Sequence, residues 1–485
     1  MKDGVRMGGK EPPAAARTRR ELEEERRRAV RAEHGARSLV LPAKAIIGNI
    51  VFTDDDAYAF YHVPLQSYDF ISHTARLVNA SRMVNALAAL VDEDGADERE
   101  FLFVSTSTPM NLEAWVEQVV QENAKYNEDQ SAFFTLVEEE FSMMAEHQFS
   151  ERKSFLGVRL GSRRDFDISQ MNVIEHGVRS AFRYMSKRLR AAFNGVADVT
   201  EDEEMMFTAR EKAIHNTINT GGINGERCTP LEILVFTKAM LSPALPIVRP
   251  ESEPGHRVGE GEIITAVSDF TVENHMRYLK FVRDYDGEEM EGYRSVLSLT
   301  EFPKIMDYPI VAPFLYMPAL NGLPFTVYSR FKLVPKKKMD QKTKRASIRS
   351  EDEIENMSEG RSETNALVNG LGADFEESLS DINLMKEILA TNRDPWVVGS
   401  YRVVVEASTL DNMNRLVQFL RQEYKNMGIV VRQGLGTQAR MLTECLPGGA
   451  PASRQFEQIT SLSALAAAGI HFGNSVGDPI RGIGL

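Results

Sequence analysis

The sequence predicts an α+β fold of two or three β-α-α-β or βαβ-type units with mixed sheets, set between a charged N-terminal tail and a C-terminal linker. Three observations carry this. Short β-rich runs recur along the chain, among them FLFVST, KSFLGVRLG, FTVYSRFKLV and YRVVVEAS. Between them lie stretches with apolar residues at helical spacing. Helix-start and helix-stop residues stand where the patterns change over, as at Thr229-Pro230-Leu231-Glu232 and Gly428. A length of 485 residues allows about three domains.

Taken in order, residues 1–37 form a charged tail, with Glu23–Arg27 and Glu24–Arg28 at i,i+4 spacing but no apolar stripe. Residues 38–195 read as an N-terminal α+β domain. Its β-rich start surrounds Gly48 and Asp54-Asp55-Asp56, and a helix is expected from Ser67 to Val91. FLFVST is a strand, Thr108-Pro109 reads as the cap and first position of a helix, and helices are expected over 110–125 and 129–147. KSFLGVRLG is the return strand. Residues 166–193 are amphipathic and basic.

Residues 196–335 read as a second α+β region. Asp198 to Glu204 is expected to be an exposed acidic turn, and Thr229, Pro230 and Glu232 a capping box that starts a helix running to Leu241. A hairpin is expected at Tyr285-Asp286-Gly287, followed by LSLTEFP, a Pro-rich segment and FTVYSRFKLV. Residues 336–378 are a charged linker or helical excursion, basic to Arg349 and acidic beyond. Residues 379–448 read as a βαβ-type unit: YRVVVEAS, a helix capped by Ser408 with Asp411, a stop at Gly428, then IVVRQ and a short helix over Gln438–Leu446. Residues 449–485 read as a linker.

Composition narrows the function classes. A net charge of -13 gives no overall nucleic-acid signature. Two cysteines, Cys228 and Cys445, fit a reducing cytosol without a disulfide framework. The N-terminus lacks the apolar core of a secretory signal. The long uncharged segment Tyr308–Ser329 contains Pro309, Pro313, Pro318 and Pro324, which argue against a spanning helix because each removes a backbone donor.

The search for chemistry is short. Gly4 to Lys10 fits G-x-x-x-x-G-K, but Glu11 stands where a metal-binding hydroxyl is needed, and Pro12-Pro13 bars an immediate helix. The nine histidines form no zinc-binding spacing. No catalytic, cofactor-binding or metal-ligating residue is therefore assigned. Partner contact is assigned to Phe314, Leu315 and Tyr316 in the Pro-rich segment, which is costly to expose uncovered, and to Lys336, Lys337 and Lys338 in the basic run. Without interleaved aromatics that run is a poor single-strand binder, and direct nucleic-acid contact is not expected.

The block Leu384–Gly448, the LSLTEFP strand end and the tail LAAAGIHFGNSVGDPIRGIGL together resemble the region ahead of the motor in the cytoplasmic ATPases of type IV secretion and conjugation machines. The resemblance covers roughly Ser38 to the C-terminus and rests on the order of elements. It implies a docking and assembly region with channel subunits as partners, a small membrane protein among them, and with self-association. It places the chain in the cytoplasm, peripheral at the inner face of the membrane. It also implies that a phosphate-binding loop follows the Gly-Asp-Pro segment, so ATP and magnesium belong to that motor and no ATP hydrolysis is expected of this chain. Two other readings stand beside it: an unrelated α+β scaffold, and an enzyme with a dispersed site.

Overall fold

The structure, a computed structural model, describes residues 39–64, 66–67, 72–90, 99–109, 150–163, 199–243, 254–267, 270–285, 288–302, 325–334, 338–341, 343–344, 395–452, 454–467 and 472–473. The fold is α+β. The first strands are β1 (Ala45–Ile47), β2 (Ile50–Phe52), β3 (Asp56–His62) and β4 (Gln66–Ser67), with helix α1 (His73–Ala88) after them. Next come β5 (Glu100–Pro109), β6 (Ser150–Ser162), α2 (Glu201–Thr220), β7 (Glu226–Arg227), α3 (Pro230–Leu241), β8 (Arg257–Gly259) and α4 (Glu260–Val267). The rest are β9 (Thr271–Asn274), β10 (Leu279–Tyr285), β11 (Glu288–Glu301), β12 (Phe325–Val334), β13 (Trp396–Ala407), α5 (Leu410–Asn426), β14 (Val430–Gln433), α6 (Gln438–Cys445), β15 (Gln458–Ser461), α7 (Leu462–Ala467) and β16 (Phe472–Gly473).

Among the described residues, 14 strands share one sheet, ordered β8-β1-β2-β3-β6-β5-β12-β13-β11-β10-β9, with β14 on β11, β15 on β13 and β7 on β3. Every pairing in it is antiparallel, so the expected mixed sheet is corrected. Among the described residues the one parallel pair is the two-residue match of β16 with β4. The βαβ-type expectation is met in split form. β13 and β14 do not touch; both pair antiparallel with β11, which lies between them. They therefore run parallel to each other, joined by α5.

Side-chain parity explains how the sheet is covered. On β12, Phe325, Val327, Phe331 and Leu333 enter one core, which also holds Phe207 of α2, Met83 and Leu87 of α1, Val417 of α5 and Leu465 of α7. Tyr328 faces the other core, with Phe236 of α3, Ile263 of α4 and Met441 and Leu442 of α6. Helices thus cover both faces. That is why these strands read as apolar at both parities, as in a sheet buried on both sides. Each fully buried Val, Leu or Phe contributes about 1.5–3 kcal/mol.

Several boundaries move. Thr108 and Pro109 extend β5, opposite Glu151 and Ser150 of β6, and do not start a helix; Pro109 closes the strand, where its missing N–H is tolerated. Of the expected exposed turn Asp198–Glu204, the described residues from Thr200 on form the start of a helix. Thr200 caps α2 by accepting from the Glu203 amide, and the acidic residues occupy its first turn, where the helix dipole favours them. The capping box at Thr229 and Glu232 forms as expected. On α5 the cap is Thr409, which accepts from the Asn412 amide, and not Ser408. The α1 helix starts only at His73, capped by Ser72.

Residues 449–467 are not a linker. β15 adds to β13, and Leu462, Leu465 and Ala466 are buried. Nor do the segments 38–195, 196–335 and 379–448 separate among the described residues, since one sheet and one core run through all three. Residues 338–341 are helical, and Met339 is buried with Val334 and Trp396. The expected tail 1–37, the helices over 110–125 and 129–147, the basic stretch 166–193 and most of 336–378 lie outside the described residues.

Candidate functional site

The face of the sheet beneath α6 carries a row of charged and hydroxyl side chains. Strand alternation puts Tyr58, Arg159, Glu100, Arg330, Ser400, Arg402 and Ser298 on one side. The register then brings them together: Tyr58 lies opposite Arg159, Glu100 opposite Lys332, Arg330 opposite Ser400, and Arg402 between Tyr328 and Ser298.

At one end Arg159 Nη2 meets Asp56 Oδ1 at 2.7 Å. Tyr58 donates to Glu100 Oε1 at 3.2 Å, and the same oxygen pairs with Arg330 Nη2. Arg330 Nη1 donates to the Gly449 carbonyl. Further along, Glu444 accepts from Ser400 Oγ at 2.7 Å, Arg402 Nη2 at 3.2 Å and the Ala452 amide at 3.2 Å. Arg402 Nη1 donates to Ser298 Oγ at 2.8 Å, and its guanidinium lies 5.6 Å from the Phe456 ring centroid. Tyr328 donates to the Glu444 carbonyl at 2.7 Å. Arg294 pairs with Glu406 and donates to the Ala239 carbonyl at 3.1 Å, at the C-terminal end of α3.

Gln438 anchors the start of α6. Its side chain accepts from the Val296 amide at 2.8 Å and donates to the Val296 carbonyl at 3.2 Å, replacing a strand partner for β11. Two glutamates and two arginines at the centre of the row, Glu100, Glu444, Arg330 and Arg402, are all buried and sum to zero charge. A buried pair of this kind adds little net stability over an apolar equivalent. What it adds is position, because a shifted strand or a lifted α6 would leave a charge uncompensated in low dielectric.

Burial is the first cause of the tyrosine shifts here. It raises Tyr58, with Glu100 adding to it, and it raises Tyr328 well above the ordinary tyrosine range. Burial works against the Arg330 charge, but Tyr328, Glu100 and Tyr58 outweigh it and hold that pKa above its ordinary value. The Cys445 thiol is pushed up by burial and then by Glu444, and Cys228 by burial and then by Glu232. Both sulfurs are buried, an environment that disfavours the thiolate.

A second cluster ties α2 to the sheet. Glu211 accepts from Asn49 Nδ2 at 3.2 Å, Tyr61 Oη at 3.1 Å and Arg227 Nε at 2.8 Å. Tyr61 is raised by burial and then by Glu211. His215 stacks on Tyr61, ring centroids 5.6 Å apart.

Phe314, Leu315, Tyr316, Lys336 and Lys337 lie outside the described residues. Lys338 is half-buried at the start of the helical turn that carries Met339. Sequence reading missed the charge row. Its signal was a lone Arg inside a strand apolar at both parities, as in FTVYSRFKLV and YRVVVEA, where a charge must be buried and paired. Among the described residues no group of three or more His, Cys, Asp or Glu is placed to hold a metal ion, and no helix is long and apolar enough to cross a membrane.

No family model and no curated protein matches the chain.

Proposed function

We propose that this chain is the non-catalytic docking and assembly region of a type IV secretion ATPase of conjugative DNA transfer, held at the inner face of the membrane by channel subunits. One observation supports the reading above others. Two of the three segments that resemble this family, LSLTE of Leu297–Glu301 and the described part of the block from Leu384, are far apart in sequence but form one unit. β11 carries the first and lies between β13 and β14 of the second. A resemblance spread over separate, unrelated parts of a fold would mean little; here it falls on three adjacent strands and the helix that joins two of them.

The charge row suits this role. It sets α6 and the loop to Ala452 in one position on the sheet, which is what a docking platform requires of its surface. The contacts to channel subunits are assigned to Phe314, Leu315 and Tyr316 and to Lys336, Lys337 and Lys338.

The test is expression of the tagged chain in donor cells with and without a conjugation operon. The chain should fractionate with membranes only where the operon is present, should carry a channel subunit through purification, and should lower plasmid transfer by occupying the docking position. Replacing Phe314 and Leu315 by Ser should release it without changing its melting temperature. Equal membrane association in both strains, or undiminished transfer at high expression with no subunit recovered, would overturn the proposal.

A further inference from the structure

We propose that Asn224-Gly225, in the turn between α2 and β7, is a site of self-modification. The Asn224 side chain closes on the backbone and reopens as a mixture of aspartate and isoaspartate. The turn has an uncommon backbone. Asn224 has a φ of 54°, in the left-handed region, and is the only non-glycine residue with positive φ among the described residues. Asn enters that region as a single turn position more readily than most residues. Its side chain is exposed.

The two reacting groups are unengaged. The amides just before them close the end of α2: Gly221, Gly222 and Ile223 donate to the carbonyls of Thr217, Asn219 and Ile218 at 2.9, 3.0 and 3.2 Å. Among the described residues the Gly225 amide has no acceptor and the Asn224 side chain has no partner. The chain beyond is held, with His215 Nε2 3.1 Å from the Gly225 carbonyl oxygen and the Cys228 amide donating to the Phe60 carbonyl at 3.2 Å. The fold does not require a glycine at 225. Its φ is not positive, and an added Cβ would meet Tyr61 Cβ at 3.4 Å and Ile218 Cγ2 at 3.5 Å, which is ordinary contact. What the missing Cβ does is leave the Gly225 nitrogen open to approach.

The reaction needs only water, and Asn is among the thermolabile residues. The Gly225 nitrogen gives its proton to water and bonds to Asn224 Cγ. The Cγ–Nδ2 bond breaks, and ammonia leaves after taking a proton back from water. The resulting succinimide ring takes up one water. Addition at Cγ leaves aspartate; addition at the main-chain carbonyl leaves isoaspartate, with the backbone routed through Cβ. Either product gains one negative charge. Isoaspartate also lengthens the chain by one carbon–carbon bond, about 1.5 Å. The turn is a sensitive place for that. It leads from α2, whose Phe207, Ile214 and Ile218 lie in one core, towards α3, whose Ile233 and Phe236 lie in the other. Between them β7 is held by Tyr61 opposite Arg227 and His62 opposite Glu226, and by Arg227 Nε on Glu211 Oε1 at 2.8 Å. Conversion therefore loosens Arg227 from Glu211 and lowers stability.

Purified chain tests this without reference to secretion. Trypsin releases Ala213–Arg227, which carries Asn224 and, as slow references, Asn216 and Asn219, each followed by Thr. Folded chain is aged at physiological temperature and this peptide is read by mass spectrometry. Asn224 should convert within about tenfold of its rate in the free synthetic peptide, giving isoaspartate beside aspartate, while Asn216 and Asn219 lag. Gly225→Ala should slow conversion about tenfold or more. Its denaturation midpoint should hold on ageing while that of wild type falls. If Gly225→Ala fails to fold, the products decide, since only ring opening yields isoaspartate. An intact Asn224 in folded chain while the free peptide converts, aspartate without isoaspartate, or conversion at Asn216 or Asn219 as fast as at Asn224 would each overturn the proposal. So would equal rates in wild type and Gly225→Ala, or a wild-type midpoint that conversion leaves unmoved.

Discussion

Replacing Glu444 by Gln keeps its volume and removes its charge. Glu444 and its partner Arg402 have side chains 1% and 0% exposed, and they meet at 3.2 Å. The change leaves the Arg402 cation beneath α6 with Ser298 Oγ and the Phe456 ring as its remaining neighbours. Uncompensated burial of one member of such a pair costs about 3–5 kcal/mol. The gentler loss of a hydrogen bond to a charged group is about 1.5–3 kcal/mol. The geometry favours the larger value, because α6 and the loop to Ala452 exclude water. Arg402→Met should cost a similar amount by stranding Glu444. The double variant should cost less than the sum of the two, with a coupling of about 1–3 kcal/mol. Urea unfolding followed by tryptophan fluorescence measures all three against wild type. If each single variant costs below about 1 kcal/mol, water reaches the pair and the row does not position α6.

Three further outcomes follow from the same structure. Thr229→Ala removes the side-chain half of the α3 capping box and should lower stability by about 1 kcal/mol, read from the denaturation midpoint. Gly292→Ala would set a Cβ 2.0 Å from the Pro243 carbonyl oxygen; the backbone after α3 has to shift, at about 1–3 kcal/mol, and an unchanged midpoint would contradict the packing. Tyr58, Tyr61, Tyr328 and Tyr401 are held protonated in the fold by burial above all. Unfolded tyrosine ionises near pH ~10, so their contribution is complete below that pH and falls as pH rises toward the folded values, by about 1.4 kcal/mol per tyrosine per pH unit. Melting temperature should therefore drop steeply between about pH 10 and 11, and a flat profile there would refute their burial.

Which parts of this were readable in the sequence depends on the range of the interaction. The α3 cap, the β12 boundaries and the stop at Gly428 are set by neighbours a few residues away, and they were legible. The cap of α5 was missed by one residue because Ser408 and Thr409 offer the same hydroxyl; only backbone geometry, with Thr409 accepting from Asn412 N, separates them. The helix expected at Thr108-Pro109 failed for a different reason. A Thr-Pro pair satisfies the local rule for a helix start, but pairing with β6 over nine positions, Phe101 to Pro109, outweighs it.

The charge row shows where reading from sequence stops and how it can go further. Glu100 and Arg330 are 230 residues apart and Arg402 and Glu444 are 42 apart, and no local spacing announces either pair. Yet each arginine was visible as a cation in a strand apolar on both faces. That pattern cannot stand alone, because a buried guanidinium without a carboxylate is too costly. It therefore predicts a partner from elsewhere in the chain. The candidates are few: an acidic residue bordering another apolar run, as Glu100 does before FLFV and Glu444 does before Cys445-Leu446. Matching stranded charges of opposite sign across distant apolar runs would have brought β5 near β12 and α6 near β13. Those two pairings would have carried the central sheet order further than periodicity alone, and they rest on the same electrostatic cost that Glu444→Gln measures.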